Sequence, residues 1–293
     1  MLCPRKCGVD REHGERGICR ETDRVRLARA ALHMWEEPCI SGEEGSGTVF
    51  FTGCNLRCVY CQNYALSRSE RGKEISEERL AEIFLELQEK KANNINLVTP
   101  THYISQIIRA LDTAKRQGLR LPVVYNSSGY ERVESLRRLE GYVDIYLPDF
   151  KYWTLGSASR YSMAADYPQA ARAAVAEMVR QTGDPEFDER GMMRKGVIVR
   201  HLLLPGCVEE GKAIVRYLYQ TYGNAIYMSL MNQYTPLDTL DTGAYPELNR
   251  KVTEEEYDAL VDYAIELGVE NGFIQEGETA GESFIPSFEM EGV

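Results

Sequence analysis

From residue 49 onward, short apolar runs alternate with longer stretches whose apolar positions recur every three to four residues. The first pattern fits strands buried on both faces, and the second fits helices with one buried stripe. Strands are predicted at 49–52, 95–98, 121–125, 143–147, 197–203 and 225–230, with a weaker one at 272–275. Helices are predicted at 77–91, 104–117, 131–139, 169–181, 208–222 and 254–267. Ser76 is placed to cap the first of these, without a capping box because Arg79 stands at the third helical position. Thr253 and Glu256 have the capping-box spacing, and Gly118 and Gly268 are natural helix stops. Residues 182–195 are polar and glycine-containing and are expected to form a loop over the sheet. Residues 1–48 are expected to be an irregular extension, and 49–293 the main domain.

Repeated strand–helix units build a parallel sheet. About six units are too few for the closed eight-unit barrel. The expected fold class is therefore α/β, an incomplete (β/α)6-type barrel with a lateral opening and an irregular Cys-containing N-terminal extension. In such folds chemistry gathers at the C-terminal strand ends. Polar loops stand there: Thr99–His102, Asn126–Gly129, Pro148–Lys151, Arg200–Pro205 and Asn232–Tyr234.

The net charge of −11 over 293 residues argues against a general nucleic-acid binder. There is no apolar run long enough to span a bilayer, and Met1-Leu2-Cys3-Pro4-Arg5-Lys6 lacks the apolar stretch expected of a secretory signal. Eight cysteines in such a chain point to a reducing, cytoplasmic setting and to metal or cluster ligation rather than disulfides. Three of them, Cys54, Cys58 and Cys61, follow the first predicted strand at C-x3-C-x2-C spacing. Zinc usually takes four ligands in two pairs, and this trio is a poor match to that rule. Three thiolates on a 4Fe–4S cluster leave one iron open to an exogenous ligand.

Cys54-x3-Cys58-x-Tyr60-Cys61 resembles the cluster loop of the radical S-adenosylmethionine (SAM) superfamily. His33-x-Trp35-Glu36-Glu37-Pro38-x-Ile40-Ser41-Gly42, then Gly45–Phe51 and Cys61-Gln62-Asn63-Tyr64, resemble its pyruvate formate-lyase activating-enzyme-like branch. So do Asn94–His102 and Met231–Tyr234; the resemblance runs from about Cys3 to past Gln275. It implies that Cys54, Cys58 and Cys61 hold a 4Fe–4S cluster and that SAM chelates the open iron. One electron from the cluster would then cleave the sulfonium to methionine and a 5′-deoxyadenosyl radical, which abstracts hydrogen from a substrate. It further implies an electron donor such as flavodoxin or ferredoxin, and a glycyl radical enzyme or peptide as substrate. The SAM contacts it implies are Tyr60, Thr99, Ser127, Asp149, Lys151, Arg200 and His201. Two segments depart from the family. Leu97-Val98-Thr99-Pro100 keeps only the Pro of Gly-Gly-Glu-Pro, and Asn126 replaces a carboxylate of the monovalent-cation site.

Cys3, Cys7, Cys19 and Cys39 form a second group. Two readings stay open for it: a bound metal, either zinc or a second cluster, and free thiols. His102 is read as a packed residue rather than an acid–base group. Tyr125, Tyr146 and Tyr227 are read as sheet residues rather than radical relays. For the whole chain, a radical SAM enzyme acting on a small metabolite and a non-enzymatic iron–sulfur or zinc protein are the alternatives.

Overall fold

The computed structural model describes residues 1–68, 71–275 and 288–293. Its strands are β1 Val25–His33, β2 Ser46–Phe51, β3 Lys73–Ile75, β4 Ile95–Val98, β5 Val123–Ser127, β6 Ile145–Pro148, β7 Glu186–Phe187, β8 Met193–Leu202, β9 Tyr227–Met231 and β10 Gly272–Ile274. Its helices are α1 Pro38–Ser41, α2 Tyr64–Ser67, α3 Glu77–Glu89, α4 Ile104–Arg116, α5 Val133–Arg137, α6 Leu155–Ser162, α7 Tyr167–Thr182, α8 Val208–Tyr222 and α9 Glu254–Leu267. The sheet order is β10-β9-β8-β6-β5-β4-β2-β1-β3, with β7 paired to β8 outside this path. From β2 to β10 the path is parallel throughout, while β1 and β3 are antiparallel additions. Its two ends, β10 and β3, do not pair, so the barrel is open. Among the described residues no helix is long and apolar enough to cross a membrane.

Alternation along the strands sorts the side chains into two cores. Ile95, Leu97, Val123, Tyr125 and Tyr146 join the large core beneath the helices, with Ile107 and Leu111 of α4. Val124, Ile145, Leu147 and Ile198 pack in a separate inner cluster. The inner cluster is closed by Cys39 and Ile40 of α1. This short helix is a plug lying against the inner face of the sheet. Asn94 Nδ2 donates to Ile40 O at 2.7 Å, and Asn93 Nδ2 donates to Ser41 O at 2.6 Å. Ser46 Oγ donates to Asn94 Oδ1 at 2.6 Å, which orients the amide.

The extension expected to be irregular therefore holds a nine-residue strand and the plug. β1 reads Val-Arg-Leu-Ala-Arg-Ala-Ala-Leu-His, rich in Ala and Arg, which have little β-propensity. Pairing with β2 makes the strand, as tertiary context overrides propensity. The expected loop at 182–195 contains β7 and the start of β8. α6 was not foreseen, because Gly156 and three serines make it a poor helix on propensity. It forms because Thr154 caps it, accepting from Ser157 N–H at 3.2 Å, and because Glu210 holds the N–H groups of Trp153 and Thr154.

Candidate functional site: three thiols above a buried ion network

The loop after β2 is tied from every side. Thr52 N–H donates to Arg26 O at 3.0 Å. The buried His102 places Nε2 at 2.6 Å from Thr52 O. Gly53 then turns the chain at φ +77°, where a Cβ would lie 2.5 Å from Cys19 O and from Glu21 Cγ. Asn55 Nδ2 reaches Tyr130 O at 2.7 Å, and Arg5 Nε reaches Asn55 O at 2.7 Å. Arg68 donates to Arg57 O and Cys58 O, both at 2.9 Å. A loop with this many anchors holds its three cysteines in fixed places.

Each thiol sulfur has a donor. Leu56 N–H lies 3.4 Å from Cys54 Sγ, Ser67 Oγ lies 3.5 Å from Cys61 Sγ, and Ser162 Oγ lies 2.9 Å from Cys58 Sγ. Burial pushes the Cys54 and Cys61 thiols up, and the neighbouring Cys58 adds to it. Bare, they would keep their protons at neutral pH, so they are not poised nucleophiles. A bound cation is what deprotonates such thiols. All three line one cavity of about 260 Å³. Among the described residues no three His, Cys, Asp or Glu side chains converge on a single ion position. A cubic cluster needs no such convergence, because each thiolate meets its own iron. The donor set, three thiols lining one cavity, fits a 4Fe–4S group.

The same cavity is lined by Tyr60, Thr99, Ser127, Asp149, Lys151 and Arg200. Lys151 Nζ lies 2.6 Å from Asp149 Oδ2. The pair is largely buried, so it is not the solvated surface pair that two charges at this spacing usually make. Arg200 Nη1 lies 3.0 Å from Glu36 Oε2, and its Nε lies 3.4 Å from Asp149 Oδ1 without hydrogen-bond alignment. Burial opposes the Asp149 charge, but Lys151 and Arg200 outweigh it and hold its carboxyl below the usual range. Burial likewise opposes the Lys151 ammonium, yet Asp149 outweighs it and lifts its pKa to about 12. The result is a fixed row of alternating charge on the cavity wall. Thr99 sits at φ +58°, a left-handed backbone rare outside glycine, with its N–H on Asn126 O at 2.9 Å. Tyr60 lines the cavity with its ring but sends its hydroxyl away, to Tyr152 OH at 2.7 Å.

His201 is not among these residues. Its neighbour on β8, Arg200, faces the cavity, so His201 faces the other way. It is 4% exposed, and its Nδ1 lies 2.8 Å from Phe150 O. His102 is 1% exposed and packs on Tyr103, its pKa pushed down to about 3 chiefly by burial.

The N-terminal cysteines divide. Cys3, Cys7 and Cys19 lie within electrostatic reach of one another. Ile18 N–H lies 3.5 Å from Cys7 Sγ, and Arg11 Nη2 lies 2.7 Å from Cys19 Sγ. Cys39 is elsewhere, buried in the plug, so it is not a member of that group. Glu36, in the Trp35-Glu36-Glu37-Pro38 motif, is a site residue that nothing in the sequence singles out. Glu36 forms part of the cavity lining and takes Arg200, Asn96 and Asn126 as partners. Ser162 was missed because α6 was missed.

The Radical SAM superfamily model matches residues 48–154, which include the three cysteines, Thr99, Ser127, Asp149 and Lys151. An uncharacterized protein of Methanocaldococcus jannaschii is 30% identical over 276 residues, which is 90% of this chain and 73% of that protein. The FeFe-hydrogenase maturase HydG from Carboxydothermus hydrogenoformans superposes with a TM-score of 0.54 at 12% identity, covering 79% of this chain and 54% of HydG. A second HydG structure gives a TM-score of 0.50 at 16% identity, covering 75% and 48%. The chain thus spans about half the length of these structures, and the likeness is one of fold.

Proposed function

This chain belongs to the radical SAM superfamily, and on that premise we propose that it activates a partner enzyme by removing hydrogen from one of its glycyl residues. Membership implies SAM cleavage at an iron–sulfur cluster. The observation that carries the site is the single cavity shared by Cys54, Cys58, Cys61 and the Asp149–Lys151–Arg200–Glu36 network. The three cysteines would hold a 4Fe–4S cluster. When bound, that cluster supplies the electron that splits the SAM sulfonium and so gives the 5′-deoxyadenosyl radical.

The chain's own residues do the rest. Asp149, Lys151 and Arg200 offer charges of both signs for the zwitterionic end and the hydroxyls of SAM. Because they are already paired, they need no reorganisation when SAM enters. Thr99 and Ser127 add short polar groups beside them. The loop anchors hold the cysteines and the lining around them in place, which matters for a radical that attacks whatever lies nearest. The open sheet and the branch-specific sequence support a peptide substrate. Flavodoxin or ferredoxin is the fitting electron donor.

The test uses anaerobically reconstituted protein, reductant and SAM. Wild type should release 5′-deoxyadenosine, and Cys58→Ala should release none. Co-incubation with glycyl radical enzymes should then give a new protein radical by electron paramagnetic resonance. Product without any such signal across the set would replace the glycyl substrate by a small metabolite. No product at all would end the radical SAM reading of the site.

A further inference from the structure

Cys58 differs from the other two cysteines in its donor. Leu56 and Ser67 are local, and both lie at 3.4 Å or more. Ser162 comes from α6, 104 residues away, and lies at 2.9 Å. Ser162 is 0% exposed and Cys58 is 9% exposed, so no water competes for the bond. Ser162 Oγ is also 2.5 Å from Tyr152 OH, which in turn is 2.7 Å from Tyr60 OH. Three hydroxyls in a row end on one sulfur.

The direction of that row follows from its end. A metal-bound thiolate carries no proton and can only accept. Ser162 must then donate to Cys58, Tyr152 to Ser162, and Tyr60 to Tyr152. The O–H dipoles align and strengthen one another toward the sulfur. The row is rigid. Val59 N–H donates to Tyr161 O at 2.9 Å, and Arg5 bridges Asn55 O to Ser162 O at 2.7 and 3.0 Å. These ties clamp α6 onto the cluster loop. Tyr152 is wedged edge-on between Tyr60 and Tyr167.

We propose that Ser162, oriented by Tyr152 and Tyr60, is a positioning residue whose hydrogen bond to Cys58 Sγ raises the reduction potential of the cluster. The proposal rests on the reading that Cys54, Cys58 and Cys61 hold that cluster. Reduction adds one electron to the iron–sulfur core and increases charge on the sulfurs. A donor on a ligand sulfur therefore stabilises the reduced form more than the oxidised form. Because the reaction begins with that electron, the same bond sets how weak a donor protein can still drive it.

The experiment is a redox titration of anaerobically reconstituted protein, following the reduced cluster by electron paramagnetic resonance, with iron counted for every variant. Ser162→Ala should lower the reduced-to-oxidised ratio at a fixed poise about tenfold, a midpoint about 59 mV more negative for a one-electron couple. Tyr152→Phe keeps the ring and loses the donor to Ser162, so its shift should be smaller with the same sign. Ser162→Thr keeps a hydroxyl and should stay near wild type. If Ser162→Ala loads its iron and keeps the wild-type midpoint, the proposal is wrong. If Ser162→Ala does not load, Tyr152→Phe decides: an unchanged midpoint there overturns the proposal, and a negative shift upholds it. Wild-type protein that binds no iron would instead overturn the cluster reading beneath it.

Discussion

Glu131 is a carboxyl group kept in the protein interior, hydrogen-bonded to Ser127 of the cavity lining. It is 2% exposed, and Thr101 Oγ1 donates to its Oε1 at 2.6 Å. Burial pushes its pKa up to about 8, despite the hydrogen bonds from Thr101, Ser127 and Tyr125 that favour the charged form. In the unfolded chain a glutamate titrates near its ordinary value of about 4.3. Between these two values the folded state holds a proton that the unfolded state has lost. Stability should therefore fall as pH rises from about 4.3 toward 8. Glu131→Gln keeps the shape and removes the titration. Thermal melts across pH 5 to 9 should show a flatter profile for the variant and higher stability than wild type near pH 9; parallel profiles would show that another group titrates. Asp149 works with the opposite sign. Its carboxyl is held low, so its contribution is intact above the ordinary carboxylate range and disappears only as pH falls through its depressed value. Asp149→Asn leaves Lys151 without its 2.6 Å partner in a largely buried site. Losing one member of such a pair costs about 3–5 kcal/mol. Urea unfolding should register that loss, and SAM binding should weaken with it.

At the scale of elements, the α1 plug links fold to site. Its Ile40 fills the inner core, while Glu36, two residues before Pro38, pairs with Arg200 in the cavity. Asn94 ties the plug to β2, its Nδ2 donating to Ile40 O and its Oδ1 accepting from Ser46. Asn94→Ala removes two buried hydrogen bonds and strands the Ile40 carbonyl, each group costing about 1–3 kcal/mol. Urea midpoints should drop at an unchanged slope, and the SAM dissociation constant should rise because Glu36 loosens. Thr253→Ala is the contrast. It removes the capping box of α9 and should cost about 1 kcal/mol with SAM affinity unchanged. If both variants lose affinity alike, the plug has no special hold on the site. These elements were unequally legible. α8 and α9 read true to their ends, because long amphipathic segments with a capping box or a stop glycine leave little choice. The parallel strands were visible as apolar runs for the same reason, since both faces are buried. β1 and α1 were not, because Ala, Arg and a four-residue helix carry no periodic signal and take their structure from β2 and Asn94. The site followed suit. Cys54, Cys58 and Cys61 announce themselves by spacing, and Asp149, Lys151 and Arg200 by standing at strand ends. Glu36 and Ser162 arrive from elements whose placement is purely tertiary, and His201 falls outside the cavity lining because it alternates with Arg200 along β8.

For the molecule as a whole, binding of SAM and loading of the cluster should be linked to folding. The thiols, the charged row and the plug come from four separate parts of the chain, from Glu36 to Arg200, so the cavity does not exist in the unfolded state. A ligand that binds only the folded state stabilises it by mass action, about 2.7 kcal/mol at a hundredfold excess over its dissociation constant. For a chain of this size each kcal/mol moves the midpoint by roughly 2–4 °C. Reconstituted wild type should thus gain roughly 5–11 °C with saturating SAM. Without iron the gain should be much smaller, because Asp149, Lys151 and Arg200 would hold SAM alone. Cys58→Ala, which removes one ligand and strands the Ser162 hydroxyl, should behave like the iron-free protein whether or not iron is supplied. Anaerobic scanning fluorimetry with and without SAM separates the cases. Equal gains for loaded wild type and Cys58→Ala would mean that SAM ignores the cluster, and the cavity would then serve the charged row alone.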